Sequence, residues 1–165
     1  MSSDEINRKV AVIFATDVVG YSEAMEQDEI QTLKNLKTCR GILEDLFIHH
    51  GGRIFNTAGD SVLAEFSSAV SALVCASEFQ ELIKERNNTQ DNNKKMEFRI
   101  GIYIGDVVQE NGNLYGEGVN IAARLEALAQ PNGICVSKNI FDLVKSKTQL
   151  FFSDLGEQKV KNTIV

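Results

Sequence analysis

Two strand-like runs, "RIFNTA" (53–58) and "SVLAEF" (61–66), stand either side of Gly59-Asp60, a spacing that predicts a tight hairpin. On both sides of it the apolar period lengthens to that of a helix. Upstream, Ile30, Leu33, Leu36, Leu43, Leu46 and Phe47 recur at three- and four-residue steps and predict one helix from Ser22 to about His50. "HHGG" ends that run with glycines suited to left-handed backbone, and His49 and His50 read as structural charges at a helix C-terminus. Downstream, "AVSALVCASEFQELIKER" places Val70, Leu73, Ala76, Phe79, Leu82 and Ile83 on one helical face.

Outside this helix–hairpin–helix unit lie two more strand patterns, "VAVIFAT" (10–16) and "MEFRIGIYIG" (96–105). The order strand, helix, strand, strand, helix, strand is the ferredoxin-like plan, an α+β class whose antiparallel sheet has spatial order 4-1-3-2. A C-terminal α/β extension follows. "DVVQENGNLYG" predicts a hairpin around Asn111-Gly112, and "GEGVNIAARLEALAQ" a helix stopped by Pro131-Asn132-Gly133. "GICVS" then predicts a strand, "KNIFDLVKSK" a short helix, and "LFFSDLGEQKVKN" a closing strand pair.

That topology brings two carboxylates together. Asp17 lies at the exit of the first strand and Asp60 at the start of the third, and those strands are expected to be antiparallel neighbours. Like charges at one sheet edge repel unless a cation sits between them, and Mg²⁺ or Mn²⁺ is the natural candidate for oxygen ligands. Either Asp taken singly also suits a turn or a helix cap. Asn120 and Arg124, four apart in "VNIAARLE", share one helix face. A solvated stripe is the plain reading of that pair. The small residues Ala122 and Ala123 beside them suggest close packing against a partner, with Asn orienting a hydroxyl and Arg meeting a phosphate. Lys159 and Lys161 are weak phosphate candidates on local sequence.

The bulk numbers bound the remainder. A chain of 165 residues suggests one domain, with residues 1–8 as a flexible N-terminus. A net charge of −6 argues against a nucleic-acid or anionic-membrane binder, while metal ions can still offset a nucleotide's phosphates. No apolar run approaches the ~20 residues that cross a bilayer. Cys39, Cys75 and Cys135 are odd in number and far apart. Cys39 and Cys75 sit beside apolar residues, so buried free thiols and a reducing cytoplasm are expected.

"VAVIFATDVVGYS", "GGRIFNTAGDSVLAEF", "FRIGIYIGDVV", "LYGEGVNIAARLEALAQPNGICVS" and "DLGEQKVKN" together resemble the catalytic domain of class III nucleotidyl cyclases, in the family's motif order, from about Lys9 to Asn162. The resemblance implies a metal-dependent lyase that turns a nucleoside triphosphate into a 3′,5′-cyclic nucleotide and pyrophosphate. It implies a head-to-tail homodimer with two sites at the interface and two divalent cations. Asp17, Asp60 and Val18 would serve the metals, and the backbone of Val18, Val19, Gly20 and Tyr21 would cradle phosphate. Asn120 and Arg124 would come from the other subunit, and Lys161 would meet the terminal phosphates.

Two positions depart from the pattern. The family's adenine-reading lysine falls four residues before the second metal aspartate, at Asn56, and its partner seven before Asn120, at Asn113. Guanylyl enzymes do not match either, so ATP is favoured over GTP on family frequency alone. A weak or silent nucleotide-binding module is the alternative. A diguanylate cyclase or polymerase-palm relative ranks last, for want of a GG[DE]EF hairpin. The chain stops where family members usually add a last strand and often further domains, so a truncated C-terminus and outside regulatory domains are expected.

Overall fold

The computed structural model describes residues 6–150, 152–156, 159–160 and 163–164, the last four by backbone alone. Its elements are β1 (Ile6–Val18), α1 (Tyr21–Gln27), α2 (Glu29–His50), β2 (Arg53–Ala58), β3 (Ser61–Phe66), α3 (Ala69–Asn88), β4 (Phe98–Glu110), β5 (Asn113–Tyr115), α4 (Glu117–Leu128), β6 (Ile134–Val136), α5 (Lys138–Val144), β7 (Lys159–Val160) and β8 (Thr163–Ile164). The main sheet runs β2-β3-β1-β4-β5, with β6 parallel to β4. The four strands of the core therefore stand in the expected 4-1-3-2 order. β1 pairs antiparallel with β3 from Val12↔Phe66 to Thr16↔Val62, and with β4 from Ile6↔Glu110 to Val18↔Phe98.

Alternation along β1 sorts the core into two layers. Val12, Phe14 and Val18 face α2 and α3, where Phe14 and Phe47 meet edge to face at 5.2 Å and Phe79 and Phe98 at 5.0 Å. Ala11, Ile13 and Ala15 face the other way, toward Val107, Leu114 and Ala122 of α4. This second layer is thinner, and Phe55, Leu63 and Tyr103 within it are only half-buried.

The structure corrects several local expectations. The first helix is two: Asp28 adopts an extended conformation (φ −159°, ψ 90°) and caps α2, its Oδ1 accepting from the Gln31 N–H at 3.0 Å. Ile30 and Leu33 are 69% and 45% exposed. At 100° per residue they fall about 160° and about 100° from the centre of the stripe made by Thr32, Asn35, Leu36, Cys39, Leu43, Leu46 and Phe47. Leu82 leaves the α3 stripe for the same reason and is 39% exposed, while Val70 at the stripe's flank is partly buried against the core. β1 starts at Ile6, inside the segment expected to be flexible, because Ile6, Asn7 and Arg8 pair with Glu110, Gln109 and Val108. β4 runs unbroken through the expected boundary at Gly105 to a turn at Asn111 (φ 52°) and Gly112 (φ 79°), the left-handed pair that a two-residue hairpin loop needs. Among the described residues the closing strand pair is Lys159–Val160 with Thr163–Ile164. All three cysteines are free and buried.

Candidate active site

Asp17 is the penultimate residue of β1, paired across the ladder with Arg99 of β4. Asp60 sits in the β2–β3 turn, and its Oδ2 accepts the backbone N–H of Val18 at 2.9 Å. The two acids, far apart in sequence, thus meet at one sheet edge. Their proximity is electrostatically visible. Burial raises the Asp17 pKa above the usual carboxylate range, and the charge of Asp60 pushes it the same way, against Glu126 and Arg99. The turn that carries Asp60 is held from behind, Arg40 of α2 donating from Nη2 to the Gly59 carbonyl at 2.9 Å.

The site fits a divalent cation. The buried Oδ1 of Asp17 has no hydrogen-bond partner. An acceptor left in that state is costly unless a positive charge meets it. Among the described residues no three His, Cys, Asp or Glu side chains converge on one metal position. Two carboxylates, with the remaining positions left to phosphate oxygens and water, suit Mg²⁺ or Mn²⁺ bound with a triphosphate.

The loop after β1 is more committed than expected. The Val18 N–H is taken by Asp60, and the Val19 N–H donates to the Glu97 carbonyl at 2.8 Å. Of the four residues expected around phosphate, Gly20 and Tyr21 are left to offer backbone N–H groups. Gly20 turns the chain into α1 with φ 65°, where a Cβ would be strained.

Asn120 and Arg124 lie on an exposed face of α4 with Ala123 and Ala127. The opposite face, with Ala122, packs on the sheet, and Ala122 is fully buried rather than part of the outward surface. The helix sits so close that a Cβ on Gly101 of β4 would lie 2.2 Å from the Glu126 nitrogen and 2.6 Å from the Ala122 oxygen. Within one chain, therefore, Asn120 and Arg124 do not join Asp17 and Asp60.

Asn56 is exposed on β2 and Asn113 half-buried at the start of β5. These are opposite edges of the sheet, yet the sheet curls until they meet, Arg53 of β2 donating to the Gly112 carbonyl at 2.7 Å. Asn113 is already engaged: its Oδ1 accepts from the Leu114 N–H at 2.8 Å, and its Nδ2 donates to the Tyr115 hydroxyl at 3.2 Å. Lys161 lies outside the described residues.

Two residues of this site were not singled out from the sequence. Arg99 faces Asp17 across the ladder, with its Nε buried and unpartnered. Glu126 is only 8% exposed, and burial followed by the proximity of Asp17 drives its pKa well above the usual range. Glu126 falls four residues after the buried Ala122 on the apolar stripe of α4, and an acid at such a position was the available signal.

Known proteins resemble this chain over most of its length. A Rhizobium meliloti (strain 1021) protein provisionally named adenylate cyclase 3 is 41% identical over 163 residues, covering 98% of this chain and 28% of its own. This chain thus spans less than a third of that relative's length. The crystal structure of an adenylate/guanylate cyclase/hydrolase from Silicibacter pomeroyi superposes with a TM-score of 0.90 at 39% identity, covering 96% of this chain and 93% of its own. That of an adenylyl cyclase from P. aeruginosa shares the fold with a TM-score of 0.81 at 22% identity, over 96% of this chain and 91% of its own. With residues 3–164 matching the family described as the adenylate and guanylate cyclase catalytic domain, and with the paired acids at the sheet edge that such motifs predict, the chain belongs to that family.

Proposed function

We propose that this chain converts a nucleoside triphosphate, ATP in preference to GTP, into a 3′,5′-cyclic nucleotide and pyrophosphate, with Mg²⁺ or Mn²⁺, at the interface of a homodimer. The observation that carries the reading is the division of α4 and β1. Asp17 and Asp60 converge at the sheet edge, while Asn120 and Arg124 stand exposed on the far side of α4. A second copy, placed head to tail, completes each site.

Asp17 and Asp60 hold the cations, and Val18 shapes the loop between them. Two bound divalent ions supply the charge that lets a ribose 3′-OH ionise near neutral pH and that offsets the leaving pyrophosphate. Asn120 of the partner subunit holds the ribose in line, where small misplacement is expensive. Arg124 of the partner subunit meets charge developing on the transferred phosphorus. Arg99 adds a fixed positive charge beside Asp17, and Gly20 and Tyr21 offer N–H groups to phosphate. Lys161 is assigned to the terminal phosphates by its place in "LGEQKVKN". Asn56 and Asn113 face the base.

Among the described residues no helix is long and apolar enough to cross a membrane. Three buried free thiols suit the reducing cytoplasm in which we place the domain. The test is direct. Purified protein is incubated with Mn²⁺ and each of the four nucleoside triphosphates, and products are identified by mass. A cyclic purine nucleotide with released pyrophosphate is expected, and its absence from all four reactions would overturn the reading.

A further inference from the structure

We infer that Arg53 is a positioning residue for base recognition: it ties β2 to the β4–β5 turn and so sets Asn113 against Asn56. The inference deepens the proposed function and rests on the assignment of those two asparagines to the base.

Three observations carry it. First, Arg53 joins the two ends of the strand order. β2 and β5 lie at opposite edges of the sheet, yet Nη1 of Arg53 donates to the Gly112 carbonyl at 2.7 Å. A hydrogen bond from a guanidinium is charge-assisted and stronger than one between neutral groups. Second, the arginine is itself held. Its Nη2 donates to Oε1 of Glu65 on the adjoining strand at 2.8 Å, and Glu65 also pairs with Lys9 of β1. The Glu65 side chain is only 16% exposed, so the anchor is set into the face of the sheet. A planar fork fixed at one nitrogen has little freedom at the other. Arg53 is half exposed, but it is engaged at both of its terminal nitrogens.

Third, each end of this link lies beside a base candidate. Gly112 shares a planar peptide unit with Asn113, so fixing that carbonyl fixes the backbone from which the Asn113 side chain departs. On β2 the register shifts between Ile54 and Asn56, leaving Phe55 as an extra residue and Asn56 opposite Leu63. A bulge of this kind re-aims a side chain, and Arg53 secures the strand just before it. Asn113 is rigid on its own strand, because the Leu114 N–H and the Tyr115 hydroxyl hold its amide. β5 is three residues long and ends the sheet, with β4 as its strand partner. What is left to set is the swing of that hairpin toward Asn56, and Arg53 sets it.

The test uses Arg53→Ala and Arg53→Lys in the full chain. Titration calorimetry with Mn²⁺ measures dissociation constants for 3′-deoxy-ATP, which cannot cyclise, and for inorganic tripolyphosphate, which has no base. Arg53→Ala should weaken 3′-deoxy-ATP about tenfold and leave tripolyphosphate within about twofold. Arg53→Lys, which keeps a donor for one of the two partners, should fall between Ala and wild type. In turnover, KM for ATP should rise while kcat stays within about threefold. Equal weakening of both ligands would make Arg53 a general support of the fold. Unchanged binding of 3′-deoxy-ATP would make it a surface residue. Either result overturns the inference.

A double-mutant cycle asks whether Arg53 acts through Asn113. Asn113→Ala should itself weaken 3′-deoxy-ATP, and adding Arg53→Ala should cost no more than about twofold further. Full additivity would overturn the inference. If Asn113→Ala binds as tightly as the wild type, the base assignment falls and the role of Arg53 falls with it. If Asn113→Ala binds weakly and Arg53→Ala does not, the base assignment stands and only the role of Arg53 falls.

Discussion

The residues at the candidate base position are neutral, and that sets how sharply they can discriminate. Asn56 is exposed, and Asn113 spends one hydrogen bond on Leu114 and another on Tyr115. Hydrogen bonds to charged groups contribute about 1.5–3 kcal/mol, against about 0.5–1.5 for neutral ones. Detectable use of both ATP and GTP is therefore expected, with kcat/KM values less than about a thousandfold apart, because a larger ratio needs about 4 kcal/mol of base reading. Steady-state kinetics with both nucleotides checks this. A second prediction at this scale concerns Glu65, which sits between Lys9 at 2.5 Å and Arg53 at 2.8 Å. Burial opposes its charge, but hydrogen bonds from Lys9 and Arg53 prevail and hold its carboxyl below the usual range. A folded-state pKa that is depressed gives stability above the unfolded value, lost as pH falls through the folded one. Glu65→Gln should lower stability by about 1 kcal/mol at neutral pH and flatten the acid-side decline below about pH 4. Urea unfolding across that range measures both, and an unchanged slope would show that the cluster contributes nothing.

Among the elements, α4 has the least freedom. It packs on the thin layer of the sheet through Val119 and Ala122, and its backbone comes into close approach at Gly101. Glycine there provides space, since its φ is not in the left-handed range. Gly101→Ala must push the helix outward or distort β4, and overpacking of this kind costs about 1–3 kcal/mol. The variant should lose that much in denaturant unfolding and most of its cyclase activity, because Asn120 and Arg124 move with the helix. Unaltered stability would mean that the helix is not seated at Gly101. The β2–β3 hairpin is constrained differently, by Arg40 holding Gly59 and by Asp60 taking the Val18 N–H. Asp60 therefore fixes the loop as well as supplying charge, and Asp60→Asn keeps the first role while removing the second.

For the molecule as a whole, the proposed function makes one chain half of two sites. If equal amounts of Asp17→Ala and Arg124→Ala chains exchange freely, half of the dimers are mixed and each mixed dimer has one intact site. The mixture should then recover about a quarter of wild-type activity, although each variant alone is inactive. Activity measured after subunit exchange checks this, and no recovery despite demonstrated exchange would place Arg124 outside the shared site. The half-buried Phe55, Leu63 and Tyr103 on the α4 side of the sheet mark where such a partner would find apolar surface.

Periodicity, turn residues and strand order are local properties, and the sequence carried them. The hairpin at Gly59-Asp60, the sheet order and the meeting of Asp17 with Asp60 all follow from where apolar runs start and stop. The break at Asp28 was missed although Asp28 with Gln31 three residues on is a helix-start pattern, and no residue of α1 is buried to tie it to the α2 stripe. Glu126 and Arg99 were missed for a different reason. An acid in a helix and a base in a strand read as solvated until the packing shows what covers them. Only the tertiary structure decided that α4 lies against Gly101, that its Glu126 is buried, and that Asn120 and Arg124 turn away. Those outcomes depend on how closely two elements approach, a distance set by side-chain volume summed over the whole interface rather than by any one stretch of chain.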